Sequence, residues 1–264
     1  MNDTELDRLL ALALDAARVG SAILLESYGA AQEIRSKGPG DWVSESDTAS
    51  EAAVRDVLAA GAPDIPFFGE EGGGTRPSVG WYCDPLDGTT NFVHRFPIVG
   101  LSIALVVDDR PVVGVVDAPM LGDIYAGRRG GGATCNGEPL AVSERSVAEA
   151  VVATGFPFRA KGERMAGFLP VVTRALYTFE DIRRAGAASL DLAWTASGAF
   201  EGYFELGLGP WDVAAGALLV EEAGGVVTDW EGDPGAWLGS GDIVAAPAAM
   251  HAKILEVIHA EDGK

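Results

Sequence analysis

From Val99 to Pro119 the chain reads VGLSIALVV, DDR and PVVGVVDAP, two β-branched stretches around a polar break at Asp108-Asp109-Arg110-Pro111. Such runs favour the extended, pleated state, and the break between them reads as a hairpin. An antiparallel sheet is therefore expected, continued by Ile124-Tyr125-Ala126 and a glycine-rich stretch. The flanking text has a different period. Leu6, Leu9, Leu10, Ala13, Leu14 and Ala17 fall on one face of a long amphipathic helix. A second helix is predicted near SDTASE, with Thr48 and Glu51 as a capping box, ending before Gly61 and Pro63. Beyond about residue 145 strand and helix patterns alternate, through AVVATGF, the helical Met165 to Tyr177, EGYFEL, VAAGALLVEEAGG and DIVAAP. The expected organisation is two tightly joined α+β subdomains, residues 1–145 and 146–264.

The 264 residues, 48 % of them hydrophobic, suffice for one large domain or two intimate subdomains. A formal net charge of −20, spread along the chain, would repel a nucleic-acid backbone, so no nucleic-acid partner is expected. Asp15 and Arg18 interrupt the N-terminal apolar run before it could span a bilayer, and the segment lacks a positive leader, so no membrane partner is expected either. Cys83 and Cys135 belong to no C-x-x-C pair, which points to a reducing, cytoplasmic setting. The three histidines lack zinc-site spacing, and no G-x-S-x-G or P-loop motif occurs. Any chemistry has to come from carboxylates and hydroxyls.

The stretch DPLDGTT, Asp84 to Thr90, follows the apolar WYC and precedes a predicted short helix. A turn here would aim Asp84 and Asp87 the same way, with the Gly88 and Thr89 amides beside them at the helix start. Two carboxylates and an anion repel one another unless cations lie between, so the arrangement asks for a hard divalent metal and a phosphate. Its bland alternative is an Asp-Gly turn whose acids merely cap the backbone. Three further segments carry acids. Phe67-Phe68-Gly69 leads into Glu70-Glu71, Pro210-Trp211-Asp212 opens a helix where Asp212 could simply be an N-cap, and Asp47 lies just before the Thr48 cap.

Taken together, WVSESDTASE, FFGEEGG, DPLDGTTNFVHRFP and WDVAAGALLVEEAGG resemble the motif set of the inositol monophosphatase family of magnesium-dependent, lithium-sensitive sugar phosphatases, over nearly the whole chain. The resemblance implies a layered αβαβα sandwich, a homodimer, and two to three Mg2+ per site. It implies that Glu70, Asp84 and the Leu86 carbonyl hold one magnesium, that Asp84, Asp87 and Asp212 hold a second, and that Glu70 reaches a third through water. Thr89, helped by Asp47, would hold the attacking water, and the Gly88 and Thr89 amides the phosphate. Gly186, Ala187, Ala188 and Glu205, with Asp87 and Asp212, would face the hydroxyls of a small phosphorylated polyol. Lys37 would match a loop lysine that approaches the metals. Many members have Gly-Ser/Thr-Ala-Ala where this chain has Gly186-Ala187-Ala188-Ser189, so one side-chain hydroxyl contact is lost.

Four carboxylates balance two magnesium ions, and a phosphate dianion would call for a third. Hydrolysis of a phosphate monoester needs roughly 20 kcal/mol of catalysis, which charge neutralisation and activated water are large enough to supply. The implied reaction is myo-inositol 1-phosphate plus water to inositol and phosphate, by direct in-line attack, with Glu70 and Thr89 orienting the water and a second water near Asp212 protonating the leaving oxygen. Histidinol phosphate, fructose 1,6-bisphosphate and a 3′-phosphoadenosine nucleotide remain alternatives that the metal motifs do not separate. For a nucleotide, Arg183 and Arg184 are candidate contacts, against a bland reading as surface or subunit-contact residues. A regulatory binding protein that keeps the fold is the other alternative, because the family includes members with RNA-polymerase-linked roles.

Overall fold

The computed structural model describes residues 1–30, 34–38, 41–158 and 161–260. Helix α1 (Asp3–Ser27) is capped by Asn2, whose side-chain oxygen accepts from the Glu5 N–H at 2.9 Å. Its Leu6, Leu9, Ala13, Ala17 and Leu24 are buried, as the 3.6-residue spacing requires. An antiparallel pair, β1 (Ile34–Gly38) and β2 (Asp41–Ser44), leads into α2 (Glu45–Gly61). This helix opens earlier than the predicted Thr48 cap. Ser44 is the N-cap and Asp47, in the first turn, accepts from the Ser44 N–H at 2.9 Å. Ser44-x-x-Asp47 is a capping box in its own right, and β2 delivers Ser44 already extended, so the upstream box forms and Glu51 is released for another use.

Seven strands form the first sheet in sequence order: β3 (Phe67–Gly69), β4 (Val79–Asp87), β5 (Gly100–Val107), β6 (Arg110–Ala118), β7 (Asp123–Arg128), β8 (Gly132–Cys135) and β9 (Glu138–Pro139), with α3 (Thr89–Val93) between β4 and β5. The predicted hairpin joins β5 to β6 through Asp108 and Asp109, at φ +49° and +60°, the pair of left-handed residues a tight two-residue turn demands. Arg110 and Pro111 already belong to β6. One pairing departs from the expected antiparallel pattern: β3 runs parallel to β4. Gly69 therefore lies opposite Cys83, and the next residues of the two strands, Glu70 and Asp84, emerge side by side.

The second sheet contains β10 (Val151–Thr154), β11 (Asp181–Arg183), β12 (Gly202–Glu205), β13 (Val226–Thr228) and β14 (Ile243–Ala246), in the order β11-β10-β12-β14-β13. Helices α4 (Lys161–Thr178), α5 (Ala188–Ala196), α6 (Pro210–Glu222), α7 (Trp237–Ser240) and α8 (Ala248–His259) complete the chain.

Alternation along the strands shows how the layers stack. Trp81, Cys83, Leu101, Ile103 and Leu105 face α1 and α2, whereas Tyr82, Ala104 and Val106 face a central core with residues of α5 and α6. In the second sheet Ala153, Tyr203 and Ala245 point into that same central core, and Val152, Phe204 and Val244 point away, towards α4 and α8. The result is an αβαβα sandwich of mixed sheets. Helix α6, buried at every position from Asp212 to Val220, is the middle layer that such an all-round apolar helix has to be. It approaches β6 closely at Gly114, where a Cβ would lie 2.9 Å from the Ala215 carbonyl oxygen. Among the described residues no helix is long and apolar enough to cross a membrane.

Candidate functional site

In a regular strand, residues three apart point to opposite faces. Asp84 and Asp87 escape this rule because β4 carries one extra residue there. Asp84 pairs with Ser102 and Asp87 with Gly100, so three steps on β4 match two on β5 and both carboxylates are brought to one side. The Leu86 N–H closes the bulge on Asp84 Oδ1 at 2.9 Å. Gly88 then turns the chain at φ +93°, where a Cβ would meet the Ile98 and Gly186 carbonyls at 3.0 and 3.3 Å. Thr89 follows at the start of α3, and its hydroxyl lies 3.1 Å from Asp47 Oδ1 and 3.2 Å from the Leu86 carbonyl.

Two other segments converge on this turn. Glu70 arrives from β3, its N–H bonded to the Cys83 carbonyl at 3.0 Å. Asp212 sits in the first turn of α6, after Pro210, and accepts from the Gly209 N–H at 2.7 Å, so it is a first-turn acid rather than the N-cap. Phe68 packs against Trp211 with ring centres 5.2 Å apart and planes tilted by 59°, and the Trp211 carbonyl accepts from Ser102 Oγ at 2.9 Å, which locks β3, β5 and α6 together. One carboxylate oxygen from each of Glu70, Asp84 and Asp212 falls within 4.8 Å of the others.

These groups line a cleft of about 370 Å³, within the usual range for a small-molecule site of about 300–1,000 Å³. Glu70, Asp84, Leu86, Asp87, Gly88, Thr89, Gly186, Ala187, Ala188, Glu205 and Asp212 all border it. Asp47 does not border the cleft and acts on it through Thr89. The side chain of Lys37 lies outside the described residues.

Electrostatics tests whether these residues suit a cation. Burial, then the charges of Glu70, Asp87 and Asp212, push the Asp84 carboxyl well above the usual carboxylate range. Burial, then Asp212, raises Asp87 to about 6, against the bonds it receives from Ser189. Carboxylates crowded in this way hold protons because no positive charge among them takes the protons' place. An all-oxygen, acidic donor set is what a hard divalent ion selects. A pH dependence follows for the metal-free protein. Each raised carboxyl binds its proton more tightly folded than unfolded, so its contribution favours the fold below the ordinary value of 3.8 and is lost as pH climbs through about 6 at Asp87. The melting temperature without metal is expected to fall between about pH 5 and pH 8, while magnesium affinity rises and binding releases protons. Calorimetric titration in buffers of different ionisation enthalpy checks this, and a pH-independent affinity would contradict it.

The opposite end of the cleft is built by contacts distant in sequence. Ser189 donates from both N and Oγ to Asp87 Oδ2, at 2.7 and 2.5 Å. The hydroxyl missing after Gly186 is thus present two residues further on, where it holds Asp87. Asn91 Nδ2 bonds the Ile98 and Ala185 carbonyls at 2.8 and 3.0 Å, tying α3 to the Gly186 loop. Tyr203 donates to Glu205 Oε2 at 2.7 Å, and burial raises Glu205 to about 8. Glu51, freed from capping, is buried; it accepts from the Glu71 N–H at 2.8 Å and from Arg55, and so anchors the loop that carries Glu70. Ser189, Asn91 and Glu51 were not singled out from the sequence as site residues. Only the polar residue types inside apolar segments marked them.

A layered sandwich that gathers carboxylates beside a donor-rich turn, at the meeting point of β3, β4 and α6, has the architecture of a metal-dependent phosphatase. The chain belongs to the inositol monophosphatase family, whose model matches residues 5–262. Nus factor SuhB of Escherichia coli K12 is 41 % identical over 243 residues, covering 90 % of each chain. A protein of Aquifex aeolicus named fructose-1,6-bisphosphatase/inositol-1-monophosphatase is 37 % identical over 257 residues, 96 % of each. The solved structure of extragenic suppressor protein suhB from Bartonella henselae superimposes with a TM-score of 0.91 at 33 % identity, covering 96 % of this chain and 99 % of that one.

Proposed function

We propose that this protein is a magnesium-dependent phosphomonoesterase that hydrolyses myo-inositol 1-phosphate to inositol and phosphate by direct attack of water. The convergence of Glu70, Asp84 and Asp212 within 4.8 Å, beside the Gly88–Thr89 turn, carries this reading. Glu70, Asp84 and the Leu86 carbonyl would hold one ion, and Asp84, Asp87 and Asp212 a second, with Glu70 available to a third. Bound magnesium supplies the charge that neutralises phosphoryl oxygens and makes water acidic enough to attack near neutral pH. The chain's own groups do the rest. The Gly88 and Thr89 amides, at the start of α3 on the cleft, would receive the phosphate, and Thr89, directed by Asp47, would orient the water together with Glu70. The backbone of Gly186, Ala187 and Ala188, with Glu205, Asp87 and Asp212, faces the polyol. A homodimer, a cytoplasmic location and lithium sensitivity complete this reading through the family resemblance.

Phosphate release, with magnesium titrated against inositol 1-phosphate, histidinol phosphate, fructose 1,6-bisphosphate and 3′-phosphoadenosine 5′-phosphate, tests it. The highest kcat/KM is expected for inositol 1-phosphate. In solvent enriched in oxygen-18, one label is expected in phosphate from the first turnover, and unlabelled phosphate would show C–O cleavage instead of attack of water on phosphorus; a chiral phosphate ester separates direct attack, which inverts phosphorus, from a phosphoenzyme route, which retains it. The name of the Escherichia coli relative, Nus factor, favours one further reading, a regulatory binding protein on this fold. Magnesium binding without turnover of any ester would select it.

A further inference from the structure

Segments 155–158 and 205–208 line the cleft with Gly155, Phe156, Phe158, Leu206, Gly207 and Leu208, and Glu205 is the one polar side chain they contribute. Beside them stands Arg184, whose neighbour Arg183 is paired instead with Asp181 on β11. Glu205 ends β12, and its main chain is fixed by its pairing with Ile243 and by Trp230 Nε1, which donates to its carbonyl at 3.1 Å. Two residues back, on the same face of the strand, Tyr203 is fully buried in the central core. Its hydroxyl donates to Glu205 Oε2 at 2.7 Å and has no other partner among the described residues. The core uses the ring, and only the carboxyl uses the hydroxyl. Gly155 completes the niche, because a Cβ there would lie 2.1 Å from the carboxyl carbon and from both its oxygens.

We infer that Tyr203 is a positioning residue for substrate selection: by occupying Oε2 it holds the Glu205 carboxyl in one pose, with Oε1 left to meet a hydroxyl of the ester's ring, and so makes the cleft favour a polyol phosphate over a hydroxyl-free ester of the same shape. The inference rests on the phosphatase reading and adds to it the residue that orients the polyol contact. Among the described residues Oε1 receives no hydrogen bond. A free glutamate side chain has several torsions to order on binding, and fixing them beforehand removes that cost from the association. Tyr203 remains the donor at any working pH, because burial, then the charges of Glu205 and Asp191, push its phenol well above the ordinary value of 10. A substrate hydroxyl both donates and accepts, so Oε1 can meet one whether or not Glu205, raised to about 8 by burial, carries a proton. Were packing the whole role, phenylalanine would fill the same volume without burying a hydroxyl.

The test compares inositol 1-phosphate with cyclohexyl phosphate, which keeps the ring and lacks its hydroxyls, on wild type, Tyr203→Phe and Gly155→Ala. Tyr203→Phe removes one oxygen and is expected to lower the inositol-to-cyclohexyl ratio of kcat/KM by roughly three- to tenfold, the change lying in the KM for inositol 1-phosphate. Gly155→Ala displaces the same carboxyl from its other side and should lower the ratio as well. In a Glu205→Ala background Tyr203→Phe should leave the ratio where it is, since the partner of the hydroxyl is gone. An unmoved ratio, an equal fall on both esters, or an effect of Tyr203→Phe that persists in the Glu205→Ala background would overturn the inference while leaving the phosphatase reading intact. Turnover of neither ester by wild type would overturn the phosphatase reading. In that case calorimetric titration of the two esters into wild type and Tyr203→Phe, with magnesium present, still decides the role of the tyrosine: weaker binding of inositol 1-phosphate alone in the variant supports it, and equal binding refutes it.

Discussion

Replacing Asp84 by asparagine is expected to lower kcat/KM for phosphate release by roughly a thousandfold, equivalent to about 4 kcal/mol of charge stabilisation. Asparagine has the shape of aspartate, and its amide oxygen can still accept the Leu86 N–H that closes the bulge at 2.9 Å. Shape is thus kept and charge removed. Asp84 is also the carboxyl that its neighbours Glu70, Asp87 and Asp212 most oppose, so its charge disfavours the metal-free fold at neutral pH. The variant should therefore melt no lower than the metal-free wild type, and the gain in melting temperature that magnesium gives the wild type should shrink or vanish. Loss of activity together with a lowered metal-free melting temperature would show that Asp84 is needed for folding, and the argument from charge would fail.

How far the sequence alone leads to this site depends on the range of the interaction involved. Helix α1, the β5–β6 hairpin and α6 are written locally, in 3.6-residue spacing, paired turn acids and a proline at the first helical position. The four acids Glu70, Asp84, Asp87 and Asp212 were legible as candidates because each follows an apolar run or opens a helix. The bulge that aligns Asp84 with Asp87 was not, because a one-residue excess on β4 exists only relative to β5. Two capping boxes, Ser44-x-x-Asp47 and Thr48-x-x-Glu51, follow one another directly in residues 44–51, and local propensity does not rank them; the end of β2 decides between them. Ser189 is 102 residues from Asp87, and Asn91 is 94 from Ala185. Contacts of that span leave no periodic trace. Arg183 and Arg184 look alike in the sequence and differ only once β11 ends and the chain turns at Gly186.

Removing the Thr89 hydroxyl should have the next largest effect. Its proton has two acceptors within reach, Asp47 Oδ1 at 3.1 Å and the Leu86 carbonyl at 3.2 Å. A carboxylate is the stronger acceptor, so an ionised Asp47 draws the proton and leaves the Leu86 carbonyl free for a cation. The threonine oxygen then offers a lone pair to a water in the cleft. Asp47 is held for this purpose by the Ser44 N–H on its other oxygen, and those bonds offset a burial that would otherwise raise its carboxyl further. Thr89→Ala is expected to lower kcat by roughly 10²- to 10³-fold, the usual contribution of a group that positions or deprotonates a nucleophile, with magnesium affinity changed far less. Thr89→Ser should restore most of the rate because it retains the oxygen. Asp47→Asn should lose part of the rate: with its NH2 towards Thr89 the hydroxyl is turned round, and with its NH2 opposed to the Ser44 N–H the side chain loses the anchor that holds it against Thr89. A proportional loss of magnesium affinity in Thr89→Ala would instead make Thr89 part of the metal-holding framework, and equal activity of Thr89→Ser and Thr89→Ala would remove the hydroxyl from the reaction.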